Sequence, residues 1–475
     1  MALVLRHPRL LLLVASVLVL ALGSYAVASP GGERSGPPEH AGGDRGGPPE
    51  HAGPPGSGDD DGDHDDSDDG DGDAGEGDDG DEGSGDPAEG VHVAADQDEL
   101  EVLLADVVVP GDLILLEPGV YPGQVNVAVP RITIRGLDRN GVIFDGEHQR
   151  GNAITVTADD VALENMRARD FVGNGFYWTG VEGYAGRYLT TERIGLYGIY
   201  AFDSVDGVFE DSYAGGSADA GFYIGQCEPC EAVIRNVTAE HNALGYSGTN
   251  AGGDLTIEDS VWRDNAAGIV PNTLDSQHFA PQSEGVVIRR NRLENNGNPD
   301  TPSHGIAGAI IGHGVAIAGG SDNLIVENEF VGNTDYGVVI HPLPDDNLWV
   351  PEDNTVRDNV FHDTGIADLA LSAGSGAGNC FAGNDFSVSL PALLEETHPC
   401  EGASLSDAPL VGDPVVLSTL AAAFAEASAG VDGRPPYHEM PDAPDEPTMP
   451  DPWAPDGGVD GGGTTGIPDG YRQGR

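Results

Sequence analysis

The sequence predicts an all-β chain whose main domain is a solenoid of parallel strands, wound in coils of about 23 residues. Glycines begin near-equivalent segments at steps of 24, 23, 23, 24, 23, 46, 23 and 28 residues. Most of them precede a short apolar strand, and a second apolar strand follows about ten residues later. The leading glycines are Gly151, Gly175, Gly198, Gly221, Gly245, Gly268, Gly314, Gly337 and Gly365.

Other repeat architectures do not fit this period. Hairpins need tight two-residue turns at about half the spacing. Helical repeats need apolar residues three and four apart, and that pattern is absent. The step of 46 holds only one second strand, so it predicts a single enlarged coil whose excess lies in loops at 271–284 and 296–313.

Strand alternation sorts the coil positions into inside and outside. Positions one and three residues after each glycine are mostly apolar and are expected to line the interior. The position two residues after it must then face out, and it holds Tyr177, Tyr200 and Tyr223 on successive coils. Such a strip can bind the C–H faces and hydroxyls of a glycan, or its rings can simply stack on one another or lie under a loop.

Polar side chains follow the same strand at its end. One alternative is an internal hydrogen-bonded ladder that stabilises the stack of coils. The other is one wall of a substrate groove whose floor is the tyrosine strip. The residues of this run are Asp203, Gln226, Asn250, Asn272 and His341.

The enlarged coil is the expected place for chemistry, because long loops in a regular scaffold often carry function. Its loops supply Asp275, His278 and His313. A set of histidines and a carboxylate can act as general acid and base. Each of these residues can equally be an ordinary polar group of a loop.

The chain also resembles the right-handed parallel β-helix family, which includes pectin and pectate lyases, polygalacturonases and bacterial β-helix repeat proteins. The likeness spans roughly 92 to 390. Its most specific part is the entry, a capping helix from Asp98 followed by PGDLILLEPGVYPGQVNV and then RITIRG. The resemblance implies a right-handed coil, but it implies no single activity, because one fold hosts many functions.

Enzyme signatures of the family are incomplete here. Gly-His-Gly at 312–314 matches polygalacturonases, but their preceding aspartates are missing one and two coils earlier. The Asp-Pro-His of alginate epimerases is absent. Pectate-type lyases use a basic residue with calcium, and Arg263, Arg289 and Arg290 are the central basic candidates. No cofactor is certain, and calcium stays open.

Composition divides the chain into five segments. Residues 1–28 read as a secretion signal, with a single-span anchor as the alternative. Residues 29–90 form an acidic Gly/Pro/Asp-rich linker with no apolar surface to bury, although its carboxylates suit calcium. The β-helix is expected over 91–411, a helix that shields its far end over 412–430, and a disordered tail over 431–475.

Charge and cysteine content limit the possible binding partners and the cellular compartment of the protein. The formal net charge is −59 and no lysine occurs, which argues against nucleic acid and excludes lysine catalysis. Adaptation to high salt also accounts for a surface this acidic and free of lysine. The four cysteines pair by position as Cys227 with Cys230 and Cys380 with Cys400, and disulfides fit an exported protein.

Two function hypotheses follow for a monomeric protein, secreted or displayed at the cell surface, with no membrane contact beyond the signal segment. The first is an enzyme on a polysaccharide: a lyase, hydrolase or epimerase. The second is a non-catalytic binding, structural or adhesion module that holds a cell-wall glycan on an acidic stalk. The incomplete motifs favour the second hypothesis, and the enlarged coil favours the first.

Overall fold

The computed structural model describes residues 90–275, 283–404, 412–428 and 433–450. Within these residues the chain winds as a parallel β-solenoid with two long sheets. Strands of successive coils pair in parallel throughout both sheets, and one short hairpin, Leu343–Pro344 with Leu348–Trp349, is antiparallel. The predicted fold class is confirmed.

One of the described sheets has eleven strands and the other has twenty. The eleven-stranded sheet consists of Val125–Val127, Ile154–Val156, Phe176–Thr179, Tyr197–Phe202, Ala220–Gly225, Leu244–Thr249, Ala267–Asn272, His313–Ala318, Tyr336–His341, Ala367–Leu371 and Ser389–Leu390. The twenty-stranded sheet consists of Val91–Ala94, Leu113–Leu116, Gly119–Tyr121, Thr133–Gly136, Val142–Asp145, Val161–Arg169, Glu182–Glu192, Val205–Glu210, Tyr213–Gly215, Ala232–Arg235, Thr238–Glu240, Leu255–Glu258, Val261–Arg263, Val286–Arg289, Arg292–Glu294, Leu324–Val326, Glu329–Val331, Thr355–Arg357, Val360–His362 and Cys380–Ala382.

Strand pairing places the predicted leading glycines opposite one another, except at the first and the last of them. The pairing of Ile154 with Phe176 places Ala153, not Gly151, opposite Gly175. The pairing of Val338 with Leu369 likewise places Asp368, not Gly365, at the last step. The enlarged coil is single, as predicted, because Ala267–Asn272 pairs directly with His313–Ala318.

Apolar side chains fill the interior in the predicted alternation. The position after each leading glycine is fully buried from Phe176 to Val338. The largest fully buried side chains are Trp178 and Trp262. Burying an aromatic side chain of this size contributes roughly 2–3 kcal/mol, so the interior columns hold the stack of coils together.

Buried asparagines join the coils at their turns. Asn291, Asn328, Asn359 and Asn384 form one ladder, in which each amide oxygen accepts from the backbone N–H and the side-chain N–H of the asparagine one coil earlier. Two further ladders run through Asn242, Asn265, Asn296 and Asn333 and through Asn323, Asn354 and Asn379.

Arginine and glutamate alternate on the outside of the twenty-stranded sheet. One column has opposite charges on seven successive coils, and most neighbours in it are ion-paired. Arg187, for example, lies between Glu164 and Glu210, 3.3 and 2.6 Å from their carboxylates. The column is Arg135, Glu164, Arg187, Glu210, Arg235, Glu258 and Arg289. In this acidic chain, many of the arginines therefore neutralise carboxylates of their own scaffold.

The first end of the solenoid is covered by a helical segment. An α-helix at Gln97–Val102 continues as a π-helix at Leu103–Val107, and Leu100 is fully buried against the core. At the other end, Leu394 of the short helix Leu394–Thr397 joins the core. The disulfides Cys227–Cys230 and Cys380–Cys400 are formed as predicted.

The helix Pro414–Ser428 does not shield the far end, contrary to the prediction. Its Val416 and Leu420 pack against Ala316 and Val339, which face outward from the eleven-stranded sheet. Small and branched apolar residues on that outer face provide the surface that this helix buries. A 3₁₀ turn at Gly305–Ala309, in the second loop of the enlarged coil, packs beside it.

Residues 433–450 correct the prediction of a disordered tail for that part of the chain. They contain a 3₁₀ turn at Tyr437–Glu439 and otherwise no regular hydrogen-bonded element. They nevertheless bind the outside of the solenoid through side chains such as Arg139, Asn140 and Asn165. The sequence predicted the absence of helix and strand, but it does not reveal these contacts.

Candidate active site

The strand ladder is interrupted at Gly198 and Gly221 on the eleven-stranded sheet. Tyr197 pairs with Ala220, and Ile199 pairs with Phe222, so the ladder skips the two glycines while the residue spacing stays equal on both strands. The ring of Tyr197, directly before the glycine, nevertheless stacks on Tyr200, two positions after it. Tyr197 therefore lies on the same outer face as Tyr200.

Tyr177, Tyr200 and Tyr223 stack in register, as predicted. The ring centroids of Tyr177 and Tyr200 are 4.5 Å apart and nearly parallel, and those of Tyr200 and Tyr223 are 4.8 Å apart and nearly perpendicular. Tyr197 adds a fourth ring, 4.5 Å from Tyr200 and 4.9 Å from Tyr223. Phe202 packs against the group from the other end of the strand. These five rings form the tyrosine cluster.

Although the tyrosine strip lies on the outer face of the sheet, its rings are almost fully buried. Tyr177 exposes 5% of its surface, and Tyr200 and Tyr223 expose 3% each. The alternative in which the rings stack on one another is the one observed. Tyr197 and Phe202 are only half-buried, so they present the accessible edge of the cluster.

Asp219 lies at this edge, two residues before Gly221. Its backbone N–H donates to the carbonyl of Leu196, 3.1 Å away, which fixes it beside the neighbouring coil. The Tyr197 side chain lies beside its carboxyl group and acts on its ionisation. Burial raises the pKa of Asp219 to about 7, although the Tyr197 hydroxyl opposes that shift. A carboxyl group that titrates near neutrality can donate or accept a proton at physiological pH.

The tyrosines around Asp219 keep their protons. Burial, with the charge of Asp219, raises the pKa of Tyr197 well above its usual range. Tyr200 is raised in the same way, first by burial and then by its tyrosine neighbours. At neutral pH the cluster therefore offers phenol hydroxyls beside a partly protonated Asp219. Asp203, at the far end of the strand, is exposed.

The amide residues expected beside the strip are mainly structural. The Thr249 hydroxyl donates to Asn272, whose amide donates to the Ser247 hydroxyl and the Val270 carbonyl. Asn250 is fully buried and exchanges hydrogen bonds with the backbone of Leu274. Among the described contacts, the internal ladder explains this run better than a groove wall does.

Gln226 and His341 are likewise buried, and each lies within hydrogen-bond distance of a backbone carbonyl. Gln226 is 2% exposed and donates to the Thr249 carbonyl at 3.3 Å. His341 is 2% exposed, and its Nδ1 lies 3.0 Å from the Pro342 carbonyl. Burial lowers the pKa of His341 to about 4, so its ring is neutral at pH 7.

The catalytic set predicted in the enlarged coil is not assembled among the described residues. Asp275 accepts from the backbone and the side chain of Asn347, both at 2.6 Å, and thereby holds the loop to the hairpin at 343–349. His313 is 2% exposed and stacks on Tyr336 with ring centroids 5.4 Å apart. Burial, with a contribution from His341, lowers its pKa to about 3. His278 lies outside the described residues.

The basic residues expected for lyase chemistry are engaged with carboxylates. Arg263 pairs with Glu240 at 2.5 Å, and Arg289 pairs with Glu258 at 2.7 Å. Arg290 contacts both Glu258 and Asp259. No group of three or more His, Cys, Asp or Glu side chains within the described ranges is arranged to hold a metal ion. The residues present there do not fit a calcium-assisted lyase site.

A concave surface lies on the twenty-stranded sheet, away from the tyrosine cluster. This groove has a volume of about 690 Å³ and runs over four coils, from Asp259 to Val360. Its Arg292 is 2.6 Å from Glu329, and its Arg290 is bound to Asp259. Its charged groups are thus largely satisfied by one another, and the groove is a weaker candidate for acid–base chemistry than Asp219.

The sequence reasoning missed Tyr197 and Asp219. Both residues stand in the pair directly before a leading glycine, and attention to that position would have identified them. The pairs are Leu196–Tyr197 before Gly198 and Asp219–Ala220 before Gly221. Strict alternation from Gly198 places Tyr197 inside the solenoid, whereas its ring stacks on Tyr200 on the outer face.

Comparison with known proteins identifies the fold. A family model described as right handed beta helix region matches residues 174–341 and 275–390. No curated protein matches the sequence significantly. Within the described residues, no helix is long and apolar enough to cross a membrane.

Several solved structures resemble the chain at low identity. An alginate lyase from Paenibacillus sp. str. FPU-7 is 17% identical, with a TM-score of 0.44, over 58% of this chain and 96% of its own. The A-module of the mannuronan C-5 epimerase AlgE4 from Azotobacter vinelandii is 16% identical, with a TM-score of 0.41, over 62% and 92%. The catalytic domain of a GH87 alpha-1,3-glucanase is 14% identical, with a TM-score of 0.43, over 64% and 66%.

The parallel coils and the family match agree, and no signature of a particular enzyme accompanies them. The match to the right handed beta helix region spans residues 174–390 and agrees there with the parallel coils of the structure.

Proposed function

We propose that this is an exported protein that binds a polysaccharide on the outer face of the eleven-stranded sheet and acts on it through Asp219. The observation that carries the proposal is the half-buried Asp219, fixed by its backbone bond to Leu196 beside Tyr197 at the accessible edge of the tyrosine cluster. The two disulfides fit the oxidising compartment that export implies.

The chemistry of this edge suits a neutral glycan. Aromatic rings pack against the C–H faces of sugars, and phenol and carboxyl groups exchange hydrogen bonds with sugar hydroxyls. The exposed Asp203 and the ionised form of Asp219 repel acidic chains. The net charge of −59 and the absence of lysine add to that repulsion.

Asp219 supplies the reactive group in this proposal. With a pKa of about 7, it is part protonated at neutral pH and can donate a proton to a glycosidic oxygen as a general acid. The bond from that oxygen to the anomeric carbon then breaks, the protonated sugar leaves, and water adds to the anomeric carbon and releases a proton that restores Asp219. Tyr197 orients the carboxyl group through its hydroxyl. The neighbouring tyrosines remove water from around it, and this keeps the pKa high.

A non-catalytic glycan-binding or adhesion module is the second candidate. The burial of Tyr177, Tyr200 and Tyr223 favours it, because stacked rings stabilise successive coils by roughly 0.5–1.5 kcal/mol per pair without any ligand. In that case the half-buried edge of the cluster binds the glycan, and no glycosidic bond is broken.

Binding and turnover assays on the full chain separate the two candidates. The chain is incubated with neutral and acidic polysaccharides, and retention, new reducing ends and unsaturated uronates are measured. We expect retention on a neutral glycan, weakened at least about tenfold in Tyr197→Ala. We also expect new reducing ends that Asp219→Asn abolishes.

Matched variants away from the edge serve as controls. Tyr188→Phe and Asp206→Asn alter a tyrosine and an exposed aspartate on the twenty-stranded sheet, and neither is expected to change retention. Retention without turnover, lost in Tyr197→Ala, identifies the binding module. Retention that is unchanged in both Tyr197→Ala and Asp219→Asn contradicts the assignment of the site.

A further inference from the structure

The segment Met440–Pro450 has proline at every third position, at Pro441, Pro444, Pro447 and Pro450. A polyproline II helix has three residues per turn, so this spacing aligns the four prolines along one side. The backbone of Met440, with φ −68° and ψ 153°, has the dihedral angles of that helix. The proline spacing and these angles together indicate an extended polyproline II conformation for the segment.

Burial along the segment has the same period of three. Met440 and Ala443 are buried and Glu446 and Met449 are half-buried, whereas the residues between them are exposed. One side of the helix therefore faces the solenoid, and the prolines and Asp442 and Asp445 face solvent.

Backbone amides of the inward residues bind side chains of the solenoid. The N–H of Ala443 donates to the Glu192 carboxylate. The N–H groups of Glu446 and Met449 donate to the amide oxygens of Asn140 and Asn165, at 3.1 and 2.7 Å. Every third amide is satisfied in this way, although a polyproline II strand forms no hydrogen bonds of its own.

Carbonyls of the segment accept from the same surface. Arg167 donates to Pro444 at 2.9 Å, Asn140 to Glu446 at 2.9 Å, and Arg139 to Pro447 at 3.1 Å. Arg139 is 1% exposed, and its guanidinium is also held by the Thr190 hydroxyl and the Leu189 carbonyl. A buried cation that is fixed by the scaffold and directed at a peptide carbonyl is part of a built site.

Charge also matches between the two surfaces. Arg193 pairs with Asp442, and Arg167 lies 3.6 Å from Asp445. The aspartates are 87% and 89% exposed, so these pairs select an acidic ligand more than they add affinity.

We propose that the surface formed by Arg139, Asn140, Asn165, Arg167 and Glu192 is a recognition site for an acidic polyproline II peptide, occupied in cis by residues 440–449. The site is distinct from the tyrosine cluster and does not depend on the proposed glycan function. A peptide tethered to the same chain has an effective concentration in the millimolar range, so a free peptide competes poorly with it.

Hydrogen exchange on the full chain tests the docked state residue by residue. We expect the amides of Ala443, Glu446 and Met449 to exchange at least about tenfold more slowly than those of Asp442, Asp445 and Thr448. Equal rates for the two sets contradict the docking. Since both sets lie in one segment, each is the control for the other.

Displacing the tail tests recognition in trans. Ala443→Arg places a bulky cation on the inward side, whereas Pro441→Arg places it on the solvent side as the control. We expect only Ala443→Arg to abolish the slow exchange of Glu446 and Met449. A labelled peptide of residues 439–450 is then expected to bind the Ala443→Arg chain at least about tenfold more tightly than the wild-type chain.

Two outcomes overturn the proposal. One is a tail that stays protected in the Ala443→Arg chain, because the inward side then does not hold it. The other is a released tail with no binding of the labelled peptide, or with equal binding of a peptide that carries the Ala443→Arg change. Fluorescence anisotropy with the two peptides measures the second outcome.

Discussion

Asn328→Ala is expected to lower the free energy of unfolding by about 3 kcal/mol. The side chain is buried and lies in the middle of an asparagine ladder. Its oxygen accepts from the backbone N–H of Asn291 at 2.9 Å, and its amide donates to the Ile288 carbonyl at 2.9 Å and to Asn359 at 3.0 Å. Alanine leaves these buried partners unsatisfied, and each such group costs roughly 1–3 kcal/mol.

Urea unfolding followed by tryptophan fluorescence measures this effect. Trp262 reports on the same ladder because its indole N–H donates to Asn291. Asn126→Ala is the matched control, since Asn126 is exposed on an outer strand and should change stability by less than about 0.5 kcal/mol. A loss for Asn328→Ala that is no larger than that of the control contradicts a structural role for the ladder.

Asp219 is expected to make folding less favourable as the pH rises from about 4 to 7. Burial raises the pKa of the folded carboxyl group to about 7, above its unfolded value. In this window the folded chain holds a proton that the unfolded chain has lost, so stability falls with rising pH. The full shift corresponds to about 4 kcal/mol, and partial exposure of Asp219 makes about 3 kcal/mol a better expectation.

The difference between Asp219→Asn and the wild-type chain isolates this contribution from the many other carboxylates. We expect the variant to gain stability relative to the wild-type chain as the pH rises from 4 to 7, and the difference to level off above 7. Denaturant unfolding at a series of pH values measures it. A flat difference for Asp219→Asn over this pH range contradicts the raised pKa.

Much of the fold could be predicted from the sequence because each coil repeats the same local sequence features. Short apolar strands and turn residues recur on each coil, and the single strand in the step of 46 revealed the enlarged coil. The two end coils were misaligned because Ala153 and Asp368 replace the leading glycine. At the second of these positions, the Asp368 carboxylate accepts hydrogen bonds from the backbone N–H groups of Ser387 and Val388.

The candidate site was harder to predict because it depends on contacts between coils. Alternation placed Tyr200 and Tyr223 on the outer face, but it does not reveal that Tyr197 shares that face and helps bury them. His313 lies on the stretch of outer face where the helix Pro414–Ser428 packs. That helix is distant in sequence, and its docking follows from the outward Ala316 and Val339 rather than from any local motif.

The location of bound glycan tests the central claim most directly. Hydrogen exchange of the full chain is compared with and without the polysaccharide that retains it best. The account predicts slower exchange confined to the strands Tyr197–Phe202 and Ala220–Gly225 and the turn before the second strand. Slower exchange centred instead on the groove between Asp259 and Val360, with no change at Tyr197 and Asp219, would contradict it.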